Sequence, residues 1–400
     1  MENSRNYERT LVLVLFFTWG TVFLDRMSQL YLAPYFAPEF HLSTQQIGGL
    51  AAILAICWAA SGFFFGALSD RIGRRPVLLP AVVIFSLLSW LSGLAHNFEQ
   101  LVLIRGLMGF AEGPCWPVIT SLIEESSSQR RRGRNVGMVV SAGALVGLAV
   151  APVLTTQVAA RFGWRWAFFV AGTPGLFVAI LIAKFVREPP AGVGNRSQAP
   201  RRNLGEALSL LKYRNIWLCA FGAAGFMTWL FVENAFAPLY ITRVAEQKAT
   251  TAGFLLGASG LGSFVLGFLL PALSDRIGRK SLLMSTALLS MIVPLALQIG
   301  FLYRHLWLLA TIIFLTNGGQ CIPALVMVLV PAESVPRGLS ATAIGLVTLV
   351  GEIIGATASP AAAGLLAARH GLGTCLWLSA AGTFVVFLSS LFMKETLAET

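Results

Sequence analysis

The chain has 400 residues, of which 56% are hydrophobic and only 12% charged. A soluble protein of that length carries about 25% charge, so the composition excludes an ordinary water-soluble fold and points to a membrane bundle. The net charge of +11 would suit a nucleic-acid binder, but its placement in alternate loops excludes that class. No glycine-rich phosphate loop, paired-cysteine metal spacing or nucleophile motif supports an enzyme or an ATP-driven pump.

Twelve apolar stretches are long enough to cross a hydrocarbon core of ~30 Å. They run over approximately 10–35, 46–68, 76–95, 98–123, 135–159, 165–187, 214–242, 251–272, 281–301, 305–331, 339–367 and 373–393. The expectation is an all-α membrane protein: twelve transmembrane helices in two six-helix bundles, 1–187 and 213–400, joined by a cytoplasmic linker over 188–212. With both termini cytoplasmic, the inner loops hold Arg71, Arg74 and Arg75, then Arg130, Arg131, Arg132 and Arg134, then Arg276, Arg279 and Lys280. The outer loops hold only Arg161, Arg165, Arg243, Lys248, Arg304 and Arg369. This bias sets topology in a bilayer and needs no nucleic-acid partner. Cys57, Cys115, Cys219, Cys321 and Cys375 are scattered singly, and the four histidines fall near outer helix ends, so no metal site and no buried histidine relay is expected. The first apolar run lacks a small-residue cleavage site and is expected to remain as a helix.

Helix 1 carries Asp25-Arg26 inside its span. Charges there are costly and usually face a bundle interior or a water-filled cavity, although a static ion pair to a neighbouring helix is the structural alternative. Helix 2 runs into Ala67-Leu68-Ser69-Asp70-Arg71-Ile72-Gly73-Arg74, which returns unchanged as Ala272-Leu273-Ser274-Asp275-Arg276-Ile277-Gly278-Arg279, 205 residues later. Gly62-Phe63 and Gly267-Phe268 precede the two copies at the same offset, and Glu112-Gly113 meets Asn317-Gly318. Gly143, Gly147 and Pro152 recur as Gly351, Gly355 and Pro360. The chain is two copies of one membrane unit, as in transporters built from parallel repeats. The doubled octapeptide resembles the loop 2–3 and loop 8–9 signature of the major facilitator superfamily. That resemblance implies alternating access, with Asp70, Arg71, Arg74, Asp275, Arg276 and Arg279 forming cytoplasmic gate latches.

Helix 4 reads Arg105-Gly106-Leu107-Met108-Gly109-Phe110-Ala111-Glu112-Gly113-Pro114. Arg105 and Glu112, seven apart, share one helix face at depths differing by roughly 10 Å. Gly109 and Gly113 suit a close helix contact, and Pro114 and Pro117 bend or break the helix. Asp25-Arg26 together with Arg105 and Glu112 resembles the anion:cation symporter branch, which includes bacterial sugar-acid transporters, sialin and the vesicular glutamate transporters. Pro238 and Tyr240 in helix 7 are comparable to a Pro-Tyr motif of many members. Helix 7 departs from the branch by holding Glu233-Asn234 and no arginine, and helix 2 has no histidine. The resemblance implies that Arg26 and Arg105 hold the substrate carboxylate and that Asp25, Glu112 and Glu233 carry or relay protons.

Helix 5 is glycine-rich, which fits close packing or a bending point equally. The linker, Glu188-Pro189-Pro190 onward, has a flexible composition, and a short amphipathic helix is expected from Asn203 to 212. In the second half Asn234, Asn317 and Gln320 can hydrogen-bond substrate hydroxyls or tie helices together. Glu352 lies in a glycine-rich stretch and suits a structural role, while Glu333 and Arg337 mark the cytoplasmic mouth.

The sequence thus favours proton-coupled symport of a small organic anion, a carboxylate or sugar acid, by a monomer in a bacterial inner membrane. The proton gradient supplies energy and no cofactor is needed. A proton antiporter for a cationic or zwitterionic solute, and a non-transporting membrane sensor on the same fold, are the rival readings.

Overall fold

The structure is a computed structural model that describes residues 2–188, 210–319, 321–336 and 339–396. Most of the expected linker and its amphipathic helix lie outside the described residues; Leu210–Lys212 closes a single 3-10 turn. The chain divides into two compact units, Met1–Phe40 with Ile53–Ala199 and His41–Ala52 with Pro200–Thr400.

In the first unit the helices are α1 (Glu2–Glu39), α2 (Thr44–Ile72), α3 (Arg75–Gly93), α4 (Phe98–Glu112), α5 (Cys115–Ser126), α6 (Gln129–Ala142), α7 (Ala151–Phe162) and α8 (Trp164–Phe185). A π-helical segment, Gly143–Val150, joins α6 to α7. The first turns of α2, as far as Ala52, belong to the second unit, within which Thr44 Oγ1 donates to Gly364 O at 3.0 Å. The second unit continues with α9 (Arg214–Arg243), α10 (Ala249–Ile277), α11 (Arg279–Ala296), α12 (Leu306–Thr316), α13 (Cys321–Pro323), α14 (Val330–Glu333), α15 (Ser340–Val350), α16 (Ser359–His370) and α17 (Gly373–Phe392). Its π segments are Ala324–Leu329 and Gly351–Ala358.

Eleven helical stretches among the described residues are long and apolar enough to cross a membrane. The twelfth expected span, 98–123, is present as α4 and α5, of 15 and 12 residues, interrupted at Gly113-Pro114. Pro114 has no N–H to continue the ladder, and neither piece alone reaches the ~20 residues a crossing needs. The outward surface is apolar: Phe64, Phe177, Phe268 and Trp307 are all more than 60% exposed. Such side chains belong against lipid tails.

The internal repeat is visible in three dimensions. In the first unit α1 packs on α8 and on Gly143–Val150; in the second, α9 packs on α17 and on Gly351–Ala358. A Cβ at Gly147 would fall on Phe23, and one at Gly355 on Met227 and the backbone of Thr228. Phe23 and Thr228 are themselves one repeat apart, so the same small-residue crossing is built twice. The π segments Gly143–Val150 and Gly351–Ala358 lie at these two crossings, where π geometry commonly marks functional positions.

Each octapeptide ends in the same turn. Gly73 has φ 108° and Gly278 φ 92°, a region an L side chain resists. The turn delivers a carboxylate to the start of the next helix. Glu188 Oε1 and Oε2 accept from Arg74 N and Arg75 N at 2.8 and 2.9 Å. Glu395 accepts from Arg279 N and Lys280 N at 3.0 and 3.1 Å. These satisfy otherwise orphaned N–H groups at the positive end of the helix dipole. Glu188→Ala and Glu395→Ala should each cost roughly 0.5–2 kcal/mol of stability. Thermal unfolding in detergent checks this, and an unchanged midpoint in both variants would refute it.

Candidate functional site

The first unit brings together all four charges that sequence placed in helices 1 and 4. Asp25, Arg105 and Glu112 are fully buried and Arg26 is 4% exposed. Arg105 interacts electrostatically with both Asp25 and Glu112, and Glu112 in turn with Arg26. Ser89 of α3 lies beside Asp25. The Arg26 guanidinium packs 4.9 Å from the ring centroid of Trp58, and that of Arg105 lies 5.1 Å from Phe168. Arg105 Nη1 donates to Met108 Sδ at 3.1 Å, while its Nε and Nη2 have no hydrogen-bond partner. Neither carboxylate oxygen of Glu112 has one. Buried polar atoms without a hydrogen-bond partner are costly, which makes this cluster the candidate site.

Local sequence explains the placement. The seven-residue step puts Arg105 and Glu112 on one face of α4. Gly109 and Gly113 let α2 approach that helix: Cβ atoms there would meet the Leu54 carbonyl and Ser61. Ser61 Oγ contacts Gly109 O at 3.4 Å across this crossing. Aromatic rings continue the site on the same faces. Trp19 lies 5.0 Å from Phe23 and 4.6 Å from Trp116, centroid to centroid. Sequence reasoning missed this stack, although Trp19 precedes Arg26 by seven residues and Trp116 follows Glu112 by four.

The second unit differs. Glu233 is 2% exposed, and its Oε2 accepts from Ser379 Oγ at 3.4 Å. Asn234 Nδ2 donates to Leu230 O at 2.7 Å, within its own helix. Asn317, the repeat counterpart of Glu112, is used by the fold. Its Nδ2 donates to Ser259 O and Oγ at 3.0 and 2.6 Å, and its Oδ1 accepts from Gly319 N at 3.0 Å. The first unit has Leu54 at the position of Ser259 and Pro114, without an N–H, at that of Gly319. The Ser259 hydroxyl and the Gly319 N–H that bond Asn317 therefore have no counterparts at Leu54 and Pro114. Gln320 lies outside the described residues. Glu352 is buried in the π segment Gly351–Ala358.

Of the expected gate residues, Arg74 forms ion pairs with Asp70 at 2.6 Å and Glu125 at 2.9 Å, and donates to Ser69 Oγ at 2.7 Å. Arg279 donates to Ser274 Oγ and pairs with Glu333 at 3.1 Å. Arg71 and Arg276 are exposed, and the side chain of Asp275 is not among those described. The acids Glu125, Glu188 and Glu395 were not anticipated. Arg187-Glu188 and Lys394-Glu395 extend the repeat and could have flagged two of them.

Comparison with known proteins agrees with this architecture. The chain is 29% identical over 395 residues to a probable 4-methylmuconolactone transporter of Cupriavidus pinatubonensis, covering 96% of this chain and 88% of that protein. It is 28% identical over 403 residues to a cis,cis-muconate transport protein of Acinetobacter baylyi, covering 94% and 95%. The inward-facing, unoccupied crystal structure of a bacterial homologue of the human lysosomal transporter Spinster superposes with a TM-score of 0.75 at 18% identity, covering 96% and 97%, a likeness of fold. The sequence model of the Major Facilitator Superfamily matches residues 15–353 and 231–399. The chain is thus a helical membrane transport protein, not an enzyme, and belongs to the major facilitator superfamily.

Proposed function

We propose that the protein carries a small organic anion into the cell together with protons, by alternating access. The supporting observation is the charge balance of the buried cluster. Arg26 and Arg105 hold their charge at any physiological pH, whereas Asp25 and Glu112 can gain and lose protons. Two cations and two ionised acids sum to zero. A carboxylate joining Arg26 adds a negative charge where an unbalanced one costs several kcal/mol. At least one proton on Asp25 or Glu112 restores neutrality, so anion and proton travel together. The names of the relatives, a 4-methylmuconolactone and a cis,cis-muconate transporter, are in line with a small carboxylate.

In this reading Arg26 and Arg105 hold the anion, and Asp25 and Glu112 carry the proton. The pairs of Arg74 with Asp70 and of Arg279 with Glu333 serve the cytoplasmic gate. Asn317, whose amide already bonds Ser259 and Gly319, serves the packing of its helices in this reading. In this reading the protein works as a monomer in a bacterial inner membrane, and the basic inner loops support cytoplasmic termini. A proton antiporter for a cationic solute is the second reading. Glu233 favours it, being a buried acid met by the Ser379 hydroxyl.

The test is uptake into vesicles of an acid chosen by a thermal-shift screen of carboxylates, sugars and cations. Uptake should rise with an inward proton gradient and collapse with a protonophore. Uptake indifferent to the gradient would sink the symport reading, and stabilisation by cations alone would favour the antiporter.

A further inference from the structure

We propose that the solute is a planar, unsaturated or aromatic carboxylate, its carboxylate on Arg26 and its flat body against Trp19, Phe23 and Trp116. The proposal rests on the reading of Arg26 as the partner of the anion. Trp19, Phe23 and Arg26 occur at i, i+4 and i+7 on α1, one face of the helix with about 10 Å of rise from end to end. Gly113 and Pro114 keep helical backbone angles, so Trp116 continues the line of Glu112 into α5. The two faces meet at the Trp19–Trp116 contact, with ring planes at 40°. Arg26 and Glu112 interact further along the same faces. Gly143 keeps room for the rings: a Cβ there would stand 3.2 Å from Phe23 and 3.3 Å from Trp19 Nε1.

Trp19, 7% exposed, belongs to the hydrophobic core, and Phe23 and Trp116 pack against it. Away from the charges the buried side chains of both faces are aliphatic, Leu11 and Leu15 on α1 and Ile119, Leu122 and Ile123 on α5, with Phe16 partly buried beside them. Beside the charges Phe23 and Trp116 are only partly buried, which leaves part of each ring open. Flat apolar rings offer a matching surface to another flat ring, which stacks offset or edge-on.

Nor do the polar groups suit a sugar acid. On α1, Thr18, Thr21 and Ser28 donate to carbonyls of their own helix at 2.8, 2.9 and 2.5 Å. Tyr31 and Tyr35 donate to Gly147 O and Thr156 O at 3.2 and 3.0 Å. Gln29, one turn beyond Arg26 and 3% exposed, and the Trp58 indole N–H, buried without a hydrogen-bond partner on the ring that meets Arg26, can serve two polar substituents but not a row of hydroxyls.

Benzoate and gluconate separate these possibilities, since both are monocarboxylates. Binding to the purified full-length protein, measured by calorimetry, should favour benzoate by about tenfold, the scale of one good aromatic contact. Trp116→Leu should bring the two acids to within about threefold, and Trp116→Phe should keep the preference. Should Trp116→Leu fail to fold, quenching of wild-type tryptophan emission by 4-nitrobenzoate, reversed by benzoate and not by gluconate, gives the same support. Gluconate binding as tightly as benzoate, with both lost in Arg26→Ala, would overturn this proposal and leave the anion reading standing. Benzoate binding that survives Arg26→Ala, or failure of both acids to bind, would overturn the two together.

Discussion

Arg26→Ala is expected to weaken carboxylate binding by about 2–5 kcal/mol, roughly 30- to 5,000-fold, at every pH. The guanidinium is a permanent cation, so no change of proton concentration restores what the truncation removes. Arg26→Lys should rescue poorly, because an ammonium cannot reproduce the two parallel bonds of the guanidinium fork and packs differently on Trp58. The structural alternative treats Arg26 as a tie between helices. Under that alternative the alanine variant fails by unfolding, since breaking a buried pair costs about 3–5 kcal/mol. Binding isotherms therefore need a melting curve from the same preparation. Loss of binding with a near-normal melting temperature supports the ligand role, and intact binding by a folded Arg26→Ala would remove it.

Glu112→Gln is expected to separate exchange from accumulation. Glutamine has the shape of the protonated acid but holds no proton to release. A loaded carrier can still turn over, so counterflow of labelled for unlabelled acid should continue. Net uptake against a gradient needs the proton to leave, so gradient-driven accumulation should fall to the level of facilitated diffusion. Two buried acids, Glu112 and Asp25, have no hydrogen-bond partner on either oxygen, and the bet falls on Glu112 for its contrast with its repeat counterpart. Its repeat counterpart Asn317 is held by Ser259 and Gly319, whereas both Glu112 oxygens lack hydrogen-bond partners. Full proton-driven accumulation in Glu112→Gln would move the coupling role to Asp25 or Glu233.

Much of the site was legible because a charge inside an apolar run is costly and must be explained. Asp25, Arg26, Arg105 and Glu112 stood out on that ground alone, and the structure gathers them in one unit. The doubled octapeptide was equally plain, and the paired turns at Gly73 and Gly278 follow it. What sequence did not show was contact between helices far apart in the chain. Periodicity tells which face a residue occupies, not which helix lies opposite. The engagement of Asn317 with Ser259, 58 residues away, was therefore invisible, and Asn317 read as a ligand. Likewise Glu188 and Glu395 looked like linker and tail acids until the turns brought the N–H groups of Arg74 and Arg279 to them. Apolar rings pass for ordinary core in a sequence that is largely apolar, so Trp19 and Trp116 drew no notice. Pro114 warned of a bend, but not that α4 and α5 would each be too short to cross alone.

Proton entry driven by the solute tests the central claim most directly. Vesicles holding the purified protein and a trapped pH dye would receive the acid that the stabilisation screen selects, with protein-free vesicles as the baseline. The account predicts that the lumen acidifies in step with uptake in the wild type and does not in Glu112→Gln, although that variant still exchanges the acid. Uptake by the wild type with no movement of protons would contradict it.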